Sequence, residues 1–255
     1  MNPTSIMFSN IFASLLLAVA CIVGTSSVAI AQPRPSIHQT TLEEPKQITP
    51  EVTTEELRAI LASAREHLFD TRPAKEYAIA HIPGSVNLYE KEVERITESH
   101  PDNATRIVIY CNGPFCGKSK RVSEDLMKLG YTAVRRYQLG LPVWRALGNT
   151  AQTSLEGVRY ILKDDKTAVF VDARARAQFE AGTVAGAVNV RAGEARKASD
   201  DGVLPYLDHG TRVVVFANSP QEARTVAEEI ARVAYWNGSY FGGAYEELQR
   251  AGLGR

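Results

Sequence analysis

Cys111 and Cys116 stand five residues apart in the run Tyr110-Cys111-Asn112-Gly113-Pro114-Phe115-Cys116-Gly117-Lys118. The run follows an apolar stretch, Ile107-Val108-Ile109, and precedes a helix expected over Ser119 to Leu129. A thiol at such a strand-to-helix turn lies where backbone N–H groups converge and where the positive end of a helix dipole points, and both favour thiolate. Cys111 is therefore the candidate catalytic nucleophile. The loop around it comprises Asn112, Gly113, Pro114, Phe115, Gly117 and Lys118. Its two glycines permit conformations that turn N–H groups inward, while Pro114 lacks one donor. No carboxylate occurs from Cys111 to Arg121, and Lys118, Lys120 and Arg121 add positive charge just beyond.

The elements that must position this loop are short strands alternating with helices. Thr53 and Glu56 form a capping-box pattern ahead of Leu57, Ile60, Leu61 and Ala64 on one helical face. Leu68-Phe69 read as a buried strand ending at Asp70, Thr71 to Ala80 as a turn and short helix, and Ser85 to Leu88 as strand. A strand at 133–135 and a helical turn at Val143–Leu147 follow the loop and its helix. Alternation with short connections implies α/β units, each with a mainly parallel central sheet flanked by helices on both faces.

The second half repeats the first. The segment from Asp70 to Leu88 aligns without gaps to that from Asp172 to Val190, an offset of 102 residues, with Asp, Arg, Gly and Asn at matched places. Arg106-Ile-Val-Ile-Tyr-Cys111 matches Arg212-Val-Val-Val-Phe-Ala217 at an offset of 106, so four residues are inserted between the blocks. The second copy has alanine where the first has its cysteine. The expected organisation is a signal peptide over 1–31, a flexible Pro- and Thr-rich lead-in over 32–50, a domain with the cysteine loop over 51–149, and a domain without it over 150–255.

Composition bounds the partners. Of 255 residues, 23% are charged and 44% hydrophobic, and the formal net charge is zero, which gives no footprint for nucleic acid. The first charged side chain is Arg34. Before it an apolar run, Ile11 to Val23, leads to Ala29-Ile30-Ala31, a secretory pattern with cleavage after Ala31 and a periplasmic or secreted destination. An uncleaved membrane anchor is the alternative, with lipidation at Cys21 a third. After cleavage only Cys111 and Cys116 of the three cysteines remain, too few for a disulfide-built scaffold, and no pattern of metal ligands occurs.

In combination these residues resemble the rhodanese family. The resemblance rests on Asp70-x-Arg72, Tyr77, His81-Ile82-Pro83-Gly84, Asn87, the strand ending in Cys111, and Leu139-Gly140 ahead of Trp144; Phe241-Gly242-Gly243 closes the second copy. It implies a tandem sulfurtransferase in which Cys111 accepts a sulfane sulfur as a persulfide and passes it to a thiol or other nucleophile. No metal or organic cofactor is implied; the partners are a small sulfur donor, a thiol acceptor and, as a further option, a partner protein, with the membrane relevant only if the N-terminal segment stays attached. The family often carries arginine at the loop position that Cys116 occupies, which puts thiosulfate turnover in question.

Three roles remain open for Cys116. It can act as a resolving thiol that attacks a Cys111 persulfide, form a standing disulfide, or serve as a small apolar residue at the helix start. Asp70 and Arg72, present in both copies, are expected to be structural, and His81, replaced by Thr183, to stand outside catalysis. Two rivals accompany the sulfurtransferase reading: a thiol–disulfide oxidoreductase cycling Cys111 and Cys116, and a non-catalytic binding module.

Overall fold

The computed structural model describes residues 36–205 and 207–255; the expected signal peptide lies outside the described residues. In the first half, α1 (Thr54–Ser63), β1 (His67–Asp70), α2 (Ala74–Ile79), β2 (Val86–Asn87), α3 (Ile96–Ser99), β3 (Ile107–Tyr110), α4 (Lys118–Lys128), β4 (Val134–Tyr137) and α5 (Gly140–Ala146) follow one another. The strands form a parallel sheet in the order β2-β1-β3-β4. The second half runs β5 (Ala151–Thr153), α6 (Leu155–Asp164), β6 (Val169–Asp172), α7 (Arg176–Ala181), β7 (Val188–Asn189), α8 (Ala195–Asp200), β8 (Val213–Phe216), α9 (Pro220–Arg232), β9 (Gly238–Phe241) and α10 (Tyr245–Arg250). Its sheet, also parallel, has the order β5-β9-β8-β6-β7.

Alternation along β3 explains the layering. Val108 and Tyr110 point into one core with Leu57, Leu68, Tyr137 and Trp144, beneath α1 and α5. Ile107 and Ile109 point into the other with Phe69, Ile96, Val122 and Leu126, beneath α3 and α4. All four residues of β3 are inaccessible to solvent, as expected of a central strand covered on both faces. In the second half Val213 and Val215 face one core while Val214 and Phe216 face the other.

α1 begins as the sequence predicts. The Glu56 N–H donates to Thr53 Oγ1 at 3.1 Å and the Thr53 N–H to Glu56 Oε2 at 2.8 Å. Of the lead-in, residues 36–50 make contacts with the first domain. The reason is Arg136, whose fully buried side chain pairs with Glu44. The Leu42 and Glu44 N–H groups bond the Glu51 carboxylate at 2.8 and 3.0 Å, and Thr49 is buried with its hydroxyl 3.5 Å from that of Ser123.

The two domains meet through backbone. His81 and Gln152 exchange N–H···O bonds of 2.9 and 2.8 Å, and the Ser154 N–H donates to the Ala78 carbonyl at 3.0 Å. α2 packs on α6 so closely that a Cβ at Gly157 would stand 1.9 Å from that carbonyl oxygen. Lys75 on α2 reaches Asp164 on α6 at 2.9 Å.

Candidate active site

Cys111 is the first residue beyond β3, at the carboxyl edge of the parallel sheet, where loops of α/β folds gather ligands. Its carbonyl accepts the Leu141 N–H at 3.2 Å, which ties the loop to the start of α5. Gly140 makes that approach feasible: its φ is +66°, and a Cβ there would stand 2.3 Å from the Gly113 nitrogen and 2.5 Å from the Cys111 oxygen. The loop then turns tightly, with the Cys116 N–H on the Gly113 carbonyl at 3.0 Å and Gln138 Nε2 donating to the Pro114 carbonyl at 3.1 Å. Gly113 takes the left-handed region expected of it, with φ +107°. Gly117 does not; at φ −70° it caps α4 in an ordinary helical conformation. Phe115 projects fully into solvent at the tip.

Cys111 and Cys116 form a disulfide, with Cα atoms 6.3 Å apart. In this bridged form neither cysteine is a free thiol. Cys111 is 2% exposed, whereas Cys116 is half-buried. An incoming thiol therefore meets Cys116 first. Attack on the Cys116 sulfur would break the bridge with the Cys111 thiolate as leaving group.

Asp70 and Arg72 form the frame beneath the loop. Arg72 Nε lies 2.9 and 3.1 Å from the two carboxylate oxygens, its Nη2 donates to the Ala80 carbonyl at 2.6 Å, and both side chains are buried. Burial alone would lower the Arg72 pKa, but Asp70 outweighs it and the guanidinium is held above its usual value. Asn87 Nδ2 locks the turn through the Asp70 and Arg72 carbonyls at 3.0 and 2.8 Å. The second domain repeats the device: Arg174 Nε bonds Asp172 at 3.0 and 3.3 Å, and Asn189 reaches the same two carbonyls at 2.8 and 3.0 Å. The frame is kept beside Ala217, in the repeat that has no thiol at this position. His81 lies at the domain boundary, its backbone paired with Gln152. It stacks on Tyr77 at 4.0 Å with Nδ1 2.8 Å from the Tyr77 carbonyl, and burial lowers its pKa.

The charges around the loop differ from the sequence picture because acids arrive from distant elements. Glu90 lies 2.7 Å from Arg121 and 3.8 Å from Lys118, and Glu44 lies 3.5 Å from Lys120. Glu76 on α2 accepts from Asn112 Nδ2 at 2.7 Å. The structure also brings in two arginines that the sequence did not single out, Arg145 on α5 and Arg212 ahead of β8. Arg145 follows Trp144 directly, and Arg212 had been placed only as the repeat of Arg106. Trp144 itself is a core residue, with Nε1 donating to the Thr150 carbonyl at 2.9 Å.

In the second domain the Ala217 carbonyl accepts the Tyr245 N–H at 2.9 Å, the counterpart of the bond from Leu141 to Cys111. Ser219 caps α9 there, taking the Glu222 N–H at 3.3 Å, and the position equivalent to Cys111 has no thiol. Both halves match the family model described as the rhodanese-like domain, over residues 53–147 and 157–251. The chain belongs to the rhodanese family. Among curated rhodanese relatives, the thiosulfate sulfurtransferase PspE of Escherichia coli K12 is 40% identical over 73 residues, covering 28% of this chain and 67% of that protein. The thiosulfate:glutathione sulfurtransferase of Homo sapiens is 33% identical over 107 residues, 37% of this chain and 92% of the relative. Of solved structures, a thiosulfate sulfurtransferase from Pseudomonas aeruginosa aligns with 78% of this chain at 23% identity and a TM-score of 0.36, the alignment spanning 42% of that protein's length.

Proposed function

We propose that this chain is a sulfurtransferase that carries sulfane sulfur on Cys111 of its first domain. The observation that carries the reading is the placement of the cysteine: at the carboxyl edge of the central strand, opening the loop that leads to α4, in the one repeat that has sulfur at this position. The cycle begins with reduction. One thiol attacks Cys116 and releases the Cys111 thiolate; a second frees Cys116 and leaves as the mixed thiols' disulfide, so two electrons enter. The Cys111 thiolate then attacks the donor's sulfane sulfur. A Cys111–S bond forms, the donor S–S bond breaks, and the remainder departs with the electron pair, as sulfite when the donor is thiosulfate. An acceptor thiolate takes the outer sulfur and returns Cys111 as thiolate. Alternatively Cys116 attacks the inner sulfur, which restores the bridge and expels hydrosulfide.

The test is the intact mass of the reduced protein after exposure to thiosulfate, cysteine persulfide or buffer. A gain of one sulfur that disappears in Cys111→Ser supports the reading, and an unchanged mass with every donor removes it. The bridge itself favours a second reading, a thiol–disulfide oxidoreductase. That reading requires exchange with dithiols in the absence of any sulfur donor. We also propose export to an oxidising compartment, where a Cys111–Cys116 bridge persists, in line with the N-terminal pattern.

A further inference from the structure

His67 and His100 meet at the amino edge of the first sheet. His67 opens β1 and is exposed, while His100 directly follows α3 and is half-buried, so both rings are open to small solutes. The rings lie edge to face with centroids 4.4 Å apart, and His100 Nε2 stands 3.2 Å from His67 Nδ1. Such a pair is either one N–H···N hydrogen bond or two lone pairs aimed at a shared cation. Two nitrogens on one tetrahedral Zn²⁺, each about 2.0–2.1 Å from the metal, are about 3.3–3.4 Å apart. The two histidines already hold nearly that edge.

Three observations favour the cation. The Ser99 hydroxyl donates to the Ile96 carbonyl at 3.3 Å and lies 2.8 Å from His100 Nδ1. A hydroxyl whose proton is spent on a carbonyl accepts from the ring, which puts the proton of neutral His100 on Nδ1 and leaves Nε2 as a lone pair. An outward hydrogen bond from the second ring nitrogen is the usual support of a metal-bound histidine. The ring is also held in place: Phe69 meets it edge-on at 5.3 Å, and the Tyr131 hydroxyl donates to the His100 carbonyl at 2.6 Å. Finally, the fold does not ask for histidine at the start of β1. Register pairs His67 with Ile107 in the first domain and Val169 with Val213 in the second, so valine fills the equivalent place.

We infer that His67 Nδ1 and His100 Nε2 form a two-histidine site for a transition-metal cation of the zinc and copper class, which clips the end of α3 to β1. Among the described residues no group of three or more His, Cys, Asp or Glu side chains is placed to hold an ion, so water completes the coordination. Imidazole donors without carboxylates select Cu²⁺ and Zn²⁺ over Mg²⁺ and Ca²⁺. The site is independent of the sulfurtransferase reading. Its paired residue Ile107 begins β3 and Cys111 follows that strand, which puts the metal roughly 13 Å along the sheet from the sulfur.

The test is calorimetric titration of the full chain carrying Cys21→Ser, with the Cys111–Cys116 bridge intact so that no free thiol competes. The titrants are ZnCl₂, CuCl₂ and MgCl₂. One Zn²⁺ or Cu²⁺ per chain is expected, Cu²⁺ the tighter, with no uptake of Mg²⁺. His67→Val, which installs the residue of the second repeat, and His100→Gln should each weaken both metals by about a hundredfold, and Ser99→Ala, which touches only the supporting bond, by about tenfold. Zn²⁺ should raise the urea midpoint of the parent and leave both histidine variants unmoved, because the pair exists only in the folded chain. Electron paramagnetic resonance of the Cu²⁺ form should show two nitrogen ligands, a readout that needs no variant. Unchanged affinity in either histidine variant, Mg²⁺ bound as well as Zn²⁺, or a single nitrogen on Cu²⁺ overturns the inference.

Discussion

Arg72 Nη1 donates to Asn112 Oδ1 across 3.3 Å, so the buried ion pair at the end of β1 is tied to the residue that follows Cys111. The fold and the loop share one guanidinium. In the second domain the matching Arg174 lies instead 3.4 Å from the ring centroid of Tyr245.

Removing either arginine strands a buried carboxylate. Arg72→Met and Arg174→Met are each expected to cost about 3–5 kcal/mol of stability in urea denaturation. Only Arg72→Met should also change the alkylation rate of reduced Cys111. An equal kinetic effect from Arg174→Met would place the link elsewhere.

Gly140→Ala forces a methyl into the Cys111 carbonyl and an unfavourable φ of +66°. The strain alone is about 1–3 kcal/mol, and the clash adds to it by pushing the loop away from α5. Chemical denaturation should show the loss, and alkylation of the reduced protein should show Cys111 more accessible.

Cys116→Ala separates the two cysteine readings. Without the second sulfur, a persulfide on Cys111 has no internal thiol to expel hydrosulfide and should accumulate by intact mass. The wild type, treated alike, should return to the bridged form. Reduced wild type and variant that retain the added sulfur equally would remove the resolving role.

His81 makes the protein acid-sensitive. Burial lowers its folded pKa below the ordinary 6.5, so below that value the unfolded chain binds more protons than the native one. The stability present above pH 6.5 is lost as pH falls towards the folded pKa, by at most about 1.4 kcal/mol per pH unit for one group. The difference in urea midpoint between wild type and His81→Gln, measured from pH 7.5 to 5, should shrink on acidification. A constant difference would show that His81 does not titrate in this window.

The repeated frame was legible because its signals are local. Asp70, Arg72 and Asn87 bond backbone within one strand-turn unit, and recurrence at Asp172, Arg174 and Asn189 marks them as framework. The parallel layers were legible from short Val- and Ile-rich runs between helices. The bridge stayed open, since bonding depends on a Cα separation that composition does not encode. Glu90, Glu76 and Arg145 were missed for a related reason: each reaches the loop from another element. The contact of Glu44 with Arg136 was likewise hidden, and residues 36–50 read as unstructured because their anchors are polar and charged contacts rather than an apolar face.

Arg212 precedes β8 and Ala217 follows it, so the arginine that lines the cavity beside Asn112 and the empty thiol position lie at opposite ends of the same strand, roughly 16 Å apart at the usual rise per residue. A substitution among residues 217–222 therefore acts at the end of the strand remote from Arg212. A domain described only by what it lacks would be judged from the wrong end.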